Sequence, residues 1–127
     1  MPQRIFVVDD LPDFLELMQD VLSLEGYEIH TFPSVSAAVQ AAEEIAPDLV
    51  ITDLRLRGES GFDLLHAFQN KVETRQTPII VCTAATMDVE ERAEMLPGDN
   101  VRVVYKPFDM SDLLAQVRDL LQHSATP

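Results

Sequence analysis

The chain has no tryptophan, a single cysteine, four glycines, and nine lysines and arginines against twenty-two aspartates and glutamates. Each shortage excludes something. One cysteine cannot form an internal disulfide. Cys82 lies in the apolar run from Ile79, so it reads as a buried thiol and fits a reducing, cytoplasmic setting. The scarcity of basic residues leaves a formal charge of -13. Such a surface is repelled by phosphate backbones and anionic lipids, so direct nucleic-acid binding by this segment is not expected. No apolar run approaches the ~20 residues of a membrane span. Met1, Pro2, Gln3 and Arg4 lead straight into an apolar run, so no signal peptide is expected. The first strand-to-helix turn, Asp10 to Asp13, has no glycine to cradle a nucleotide phosphate. There is no internal repeat and no low-complexity segment.

What is present is a globular composition, 46% hydrophobic and 24% charged over 127 residues. That length suits one domain burying roughly two-thirds of its unfolded surface. The domain is expected over 1–123, with 124–127 a tail or the start of a linker.

Short apolar runs alternate with amphipathic stretches. Strands are predicted over Arg4–Val8, Glu28–Phe32, Leu49–Asp53, Pro78–Thr83 and Val101–Tyr105. The spacing of Phe14, Leu17, Met18, Val21, Leu22 and Leu24 predicts a helix over Asp13–Glu25, stopped by Gly26. Ser34 can cap a helix to about Ile45, before Pro47. Gly61–Asn70 reads as a helix with Phe62, Leu65 and Phe68 on one side. Asp88 and Glu91 resemble a capping box for a short helix ending before Pro97 and Gly98. A last helix starts near Asp109 or Ser111, with a stripe of Leu113, Leu114, Val117, Leu120 and Leu121.

Five strands alternating with five helices predict an α/β fold with one parallel sheet covered on both faces. The strands are nearly all apolar, as two-sided burial requires. Right-handed crossovers put every strand's C-terminal end on one edge, where open sheets of this kind bind ligands. Asp9 and Asp10, Asp53, Thr83 and Lys106 all fall at that edge. Oxygen donors of this kind suit a hard cation such as magnesium, which takes one or two carboxylates and keeps several waters. Without a cation, the clustered carboxylates repel and at least one should be harder to ionise. An aspartate can serve as a nucleophile toward phosphorus, while a lysine pairs with phosphate as a point charge.

The residues Val7-Val8-Asp9-Asp10, Thr52-Asp53-Leu54-Arg55-Leu56 with Gly61, Thr83-Ala84, and Lys106-Pro107-Phe108 together resemble a response-regulator receiver domain, the phosphoacceptor half of two-component signalling. The resemblance spans about residues 4–121. It implies a flavodoxin-like doubly wound sheet of order 2-1-3-4-5. It implies that Asp53 accepts phosphoryl from a sensor histidine kinase or phosphotransfer protein. Mg²⁺ would be held by Asp10, Asp53 and the Arg55 carbonyl, with Asp9 on a metal-bound water. Thr83 and Lys106 would contact the phosphoryl group, and the Lys106-Pro107 bond would be cis. The output partner is left open, and members often dimerise through the last helices. Such a domain is a switch, and an enzyme only toward its own phosphorylation and dephosphorylation.

The chain departs from this pattern in places. Val103 stands where the family usually has an aromatic, and Tyr105 falls on the same side of the strand. Pro97-Gly98-Asp99-Asn100 replaces a usual Gly-Ala, and Leu56-Arg57 a usual Met-Pro. Arg55 and Ala85 occupy positions that influence phosphoryl lifetime in the family. A phosphorylation-independent interaction module is therefore the alternative. A phosphohydrolase working through an aspartyl phosphate usually carries Asp-x-Asp on its first strand and a cap domain, and neither is here. His30, His66 and His123 have no ligand spacing and read as structural or surface. Met87, Met95 and Met110 read as gap-fillers.

Overall fold

A computed structural model describes residues 2–53, 55–56, 59–83 and 100–125, with the backbone alone for 55, 56, 59, 83 and 123–125. Strands β1 (Arg4–Val8), β2 (Glu28–Phe32), β3 (Leu49–Thr52), β6 (Ile79–Thr83) and β7 (Val101–Tyr105) form one parallel sheet of order β2-β1-β3-β6-β7. Counting only these five, that is the expected order 2-1-3-4-5. The two-residue strands β4 (Arg55–Leu56) and β5 (Glu59–Ser60) form a small antiparallel pair of their own. Four helices lie among the described residues: α1 (Pro12–Leu24), α2 (Val35–Ala42), α3 (Gly61–Gln69) and α4 (Met110–Ala125). The helix expected around Asp88 and Glu91 lies outside the described residues.

Alternation along the strands divides the core into two layers. Phe6, Val8, Val50, Ile79 and Val81 face α2 and α3, meeting Ala38, Phe62, Leu65 and Phe68. Ile5, Val7, Leu49, Ile51, Ile80 and Cys82 face α1 and α4, meeting Met18, Leu22, Leu113, Val117, Leu120 and Leu121. The inner strands β1, β3 and β6 are buried on both faces and read as nearly continuous apolar runs, while the edge strands β2 and β7 are only partly buried and carry Glu28, His30 and Arg102.

Local signals account for the helix ends. Pro12 opens α1, where its missing N–H costs nothing. Gly26 follows the helix at φ +93, the left-handed conformation that favours glycine. The Ser34 hydroxyl accepts from the Ala37 amide at 3.2 Å. At α3, the Ser60 hydroxyl accepts from the Phe62 amide, and Asp63 accepts from the Ser60 amide, both at 3.1 Å.

The helices differ in detail from the sequence reading. Of the residues whose spacing predicts α1, Leu17 and Leu24 stand exposed, while Leu15 packs against the core. Seven residues apart, Leu17 and Leu24 share a stripe, but it is turned about 130° from the buried Met18–Leu22 line. Helix α2 stops at Ala42 instead of Ile45. The amides of Glu43 and Glu44 bond three residues back, to Gln40 and Ala41, so the last turn tightens ahead of Pro47.

Candidate functional site

The pairing register delivers the polar residues to one edge. Val8 lies beside Thr52, so Asp9 and Asp53 leave adjacent strands at the same level. The ladder continues past both strand ends: the Asp53 amide donates to Val8 O at 3.3 Å, and the Asp9 amide to Phe32 O at 3.1 Å. On the other side Thr83 lies beside Tyr105, which places Lys106 one step further along the same edge.

Three of the expected residues meet directly. Lys106 Nζ donates to Asp53 Oδ2 at 2.8 Å and lies 3.5 Å from Asp9 Oδ2. Asp9 is 1% exposed. Its Oδ1 accepts the Leu11 amide at 2.9 Å, which shapes the turn into α1. Its Oδ2 is buried and accepts no hydrogen bond among the described residues. Asp10 is partly exposed beside it. The Arg55 backbone lies in β4, and the Thr83 backbone ends β6. The Lys106-Pro107 peptide is cis, as expected. Leu54, Arg57, Ala84 and Ala85 lie outside the described residues.

Burial sets the electrostatics. It holds the Asp9 carboxyl above the usual carboxylate range, against the pull of the Leu11 amide and Lys106, with the Asp53 charge adding a smaller push. The expected difficulty of ionising a carboxylate is therefore present, but desolvation outweighs carboxylate repulsion as its cause. Burial opposes the Lys106 ammonium, yet the hydrogen bond and charge of Asp53, with the charge of Asp9, carry its pKa above the usual lysine value. Cys82, behind the same edge, is pushed up to about 12 by burial and is a neutral thiol.

Three contributions were not read from the sequence. The Phe14 ring lies under the Lys106 ammonium, 4.7 Å from Nζ to centroid. Phe14 entered the sequence reading only through its helical spacing, and its place five residues after Asp9 was the available signal. The buried Thr52 hydroxyl donates to Asp53 O at 3.0 Å, bracing the strand end. Asp9 forms its turn through Leu11, which the Asp-Asp-Leu-Pro order could have suggested.

This edge can hold a cation or an electrophile between carboxylates. Asp9 Oδ2, buried and with no partner among the described residues closer than Lys106 Nζ at 3.5 Å, is a hard oxygen that fits magnesium. Among the described residues no three His, Cys, Asp or Glu side chains already form a metal cage. The Lys106 ammonium occupies the place between the carboxylates.

The pattern of the family described as "Response regulator receiver domain" matches residues 5–118. The DNA-binding response regulator MtrA of Mycolicibacterium smegmatis is 36% identical over 124 residues, covering 98% of this chain and 53% of its own length. The phosphate regulon transcriptional regulatory protein PhoB of Rhizobium meliloti is 33% identical over 124 residues, covering 98% and 54%. The chain thus spans about half the length of the curated relatives it matches. The crystal structure of the response regulator TrrA of Thermotoga maritima, in complex with Mg(2+)-BeF, aligns with a TM-score of 0.81 at 30% identity. That alignment covers 93% of this chain and 98% of TrrA.

Proposed function

The chain belongs to the response regulator receiver family, and on that footing we propose that Asp53 accepts a phosphoryl group from the phosphohistidine of a sensor kinase or phosphotransfer protein. The observation that carries this reading is the contact of Asp53 Oδ2 with Lys106 Nζ beside the buried Asp9. Asp53 Oδ2 attacks phosphorus and the bond to the donor's histidine nitrogen breaks, leaving an acyl phosphate on Asp53. Lys106 moves its hydrogen bond from the carboxylate to a phosphoryl oxygen as charge passes outward. Thr83, two residues past the Val81 that pairs with Thr52, donates its hydroxyl to a second oxygen. Asp10, Asp53 and the Arg55 carbonyl would hold Mg²⁺ directly, and Asp9 would hold a water on it. Bound there, the cation neutralises charge on the transferring group.

The phosphorylated site biases a pre-existing equilibrium between two surfaces. The name of MtrA describes it as DNA-binding. At -13, this segment serves such an output through another domain or protein, and contacts no nucleic acid itself. Pairing through the last helices belongs to the same reading, as does a cytoplasmic location, where a kinase would meet it. Among the described residues no helix is long and apolar enough to cross a membrane.

A second reading, a constitutive interaction module, is favoured by one observation. Val103 packs into the α2–α3 face where the family's aromatic would stand, and Tyr105 is exposed. Incubation with acetyl phosphate, with and without Mg²⁺, followed by intact mass measurement beside Asp53→Ala, separates the two. One added phosphoryl group requiring both Mg²⁺ and Asp53 supports the phosphoacceptor. No adduct under cold, rapid handling favours the module.

A further inference from the structure

We propose that Phe14 is a positioning residue for Lys106, its ring forming a third wall of the ammonium site besides the two carboxylates. The inference rests on the phosphoacceptor reading for its consequence in rate, though not for its geometry. Lys106 Nζ has Asp53 Oδ2 at 2.8 Å, Asp9 Oδ2 at 3.5 Å and the Phe14 centroid at 4.7 Å. The negative face of an aromatic ring attracts a cation at this range.

The ring is placed by the same residues that build the site. Asp9 Oδ1 accepts the Leu11 amide, and Leu11 O accepts the Phe14 amide at 3.1 Å and the Leu15 amide at 3.2 Å. The carboxylate therefore fixes the turn that carries the ring. Phe14 then packs against the α1–α4 face of the core, in the cluster that includes Val104 and Phe108 on either side of Lys106.

The chemistry favours a ring here over another acceptor. A third carboxylate or carbonyl would hold an N–H of Lys106 in a fixed direction and would compete with the incoming group. A ring face attracts the charge without claiming a donor. The ammonium can then exchange Asp53 Oδ2 for a phosphoryl oxygen while keeping its seat. The Lys106 side chain is partly exposed, which keeps the attraction near the modest end of its range.

The test compares the rate of phosphorylation by acetyl phosphate with Mg²⁺ in the wild type, Phe14→Leu, Phe14→Tyr, Phe14→Trp, and a protein with ring-trifluorinated phenylalanine at position 14. Fluorination keeps the ring's shape and removes the negative potential of its face. Phe14→Leu and the fluorinated ring should both react about fivefold more slowly, the fold-change of roughly 1 kcal/mol. Tyr and Trp should retain the wild-type rate. A fluorinated ring as fast as the wild type would reduce Phe14 to packing and overturn the proposal. In parallel, the Lys106 ε-methylene protons should resonate upfield in the wild type and return to the ordinary lysine position in Phe14→Leu. If the wild type takes up no phosphoryl group, the phosphoacceptor reading fails while this ring-current shift still decides the placement. Its absence overturns the proposal under either reading.

Discussion

Lys106 reaches Asp53 across an intervening strand: β6 lies between β3 and β7, yet Nζ stands 2.8 Å from Oδ2. The lysine is the cation that lets Asp9 and Asp53 share one dry edge. Lys106→Met should leave both carboxylates facing one another without it. The expected cost is about 1–2 kcal/mol at neutral pH, below that of a fully buried pair because the side chain is partly exposed. Denaturant titration reads it directly. An unchanged midpoint would mean that the contact does not form in solution.

Asp9 should show the opposite sign. Its folded pKa lies above the ordinary 3.8, so the native state binds this proton more tightly than the unfolded chain does. The favourable contribution is complete below about 3.8 and is lost as pH rises through the folded value. At neutral pH the buried carboxylate therefore weighs against folding. Asp9→Asn keeps an oxygen for the Leu11 amide and leaves Lys106 its stronger partner, Asp53. It should stabilise the protein by roughly 1 kcal/mol at pH 7. Thermal melts across pH should show this gain shrinking to nothing toward pH 3.8. A gain that grew with acid would contradict the assignment.

The sheet and its acidic edge were legible because both follow from short-range patterns. Strands buried on both faces have little choice but continuous apolar runs, and Asp9, Asp53 and Lys106 each stand just after one. Parallel topology then aligns their ends without further information. What was missed depends on rotation and reach. Leu17 and Leu24 satisfy a helical period, but the period alone does not say which of two adjacent stripes meets the sheet. The β4–β5 pair has two residues per strand, too short for any alternation. The Phe14 contact joins residues ninety-two positions apart in sequence and depends on the reach of a lysine side chain.

Cys82 tests the packing behind the site without touching its function. Its thiol is pushed from 9.0 to about 12, which lowers the thiolate population ~1,000-fold at neutral pH. It is also 1% exposed. A disulfide reagent should leave the native protein unlabelled over the time in which it titrates one thiol in guanidinium. Labelling of the native state at the rate of a free cysteine would place Cys82 outside the core.

Magnesium supplies the last test, because ammonium and metal compete for the same carboxylates. In the proposed arrangement Asp10 and Asp53 hold the ion and Asp9 holds one of its waters, while Lys106 already neutralises part of that charge. A ligand that binds only the folded state stabilises it by about 1.4 kcal/mol at ten times its dissociation constant. The wild-type melting temperature should therefore rise with Mg²⁺. Lys106→Met, freed of the competing cation, should show a larger rise. Asp9→Asn, with one charge fewer and its buried oxygen no longer anionic, should show a smaller one. The order of the three responses carries the argument, since a nonspecific effect on a protein of charge -13 would raise all three alike. Equal responses would place the cation elsewhere on the acidic surface and leave the Asp9 and Asp53 carboxylates to Lys106.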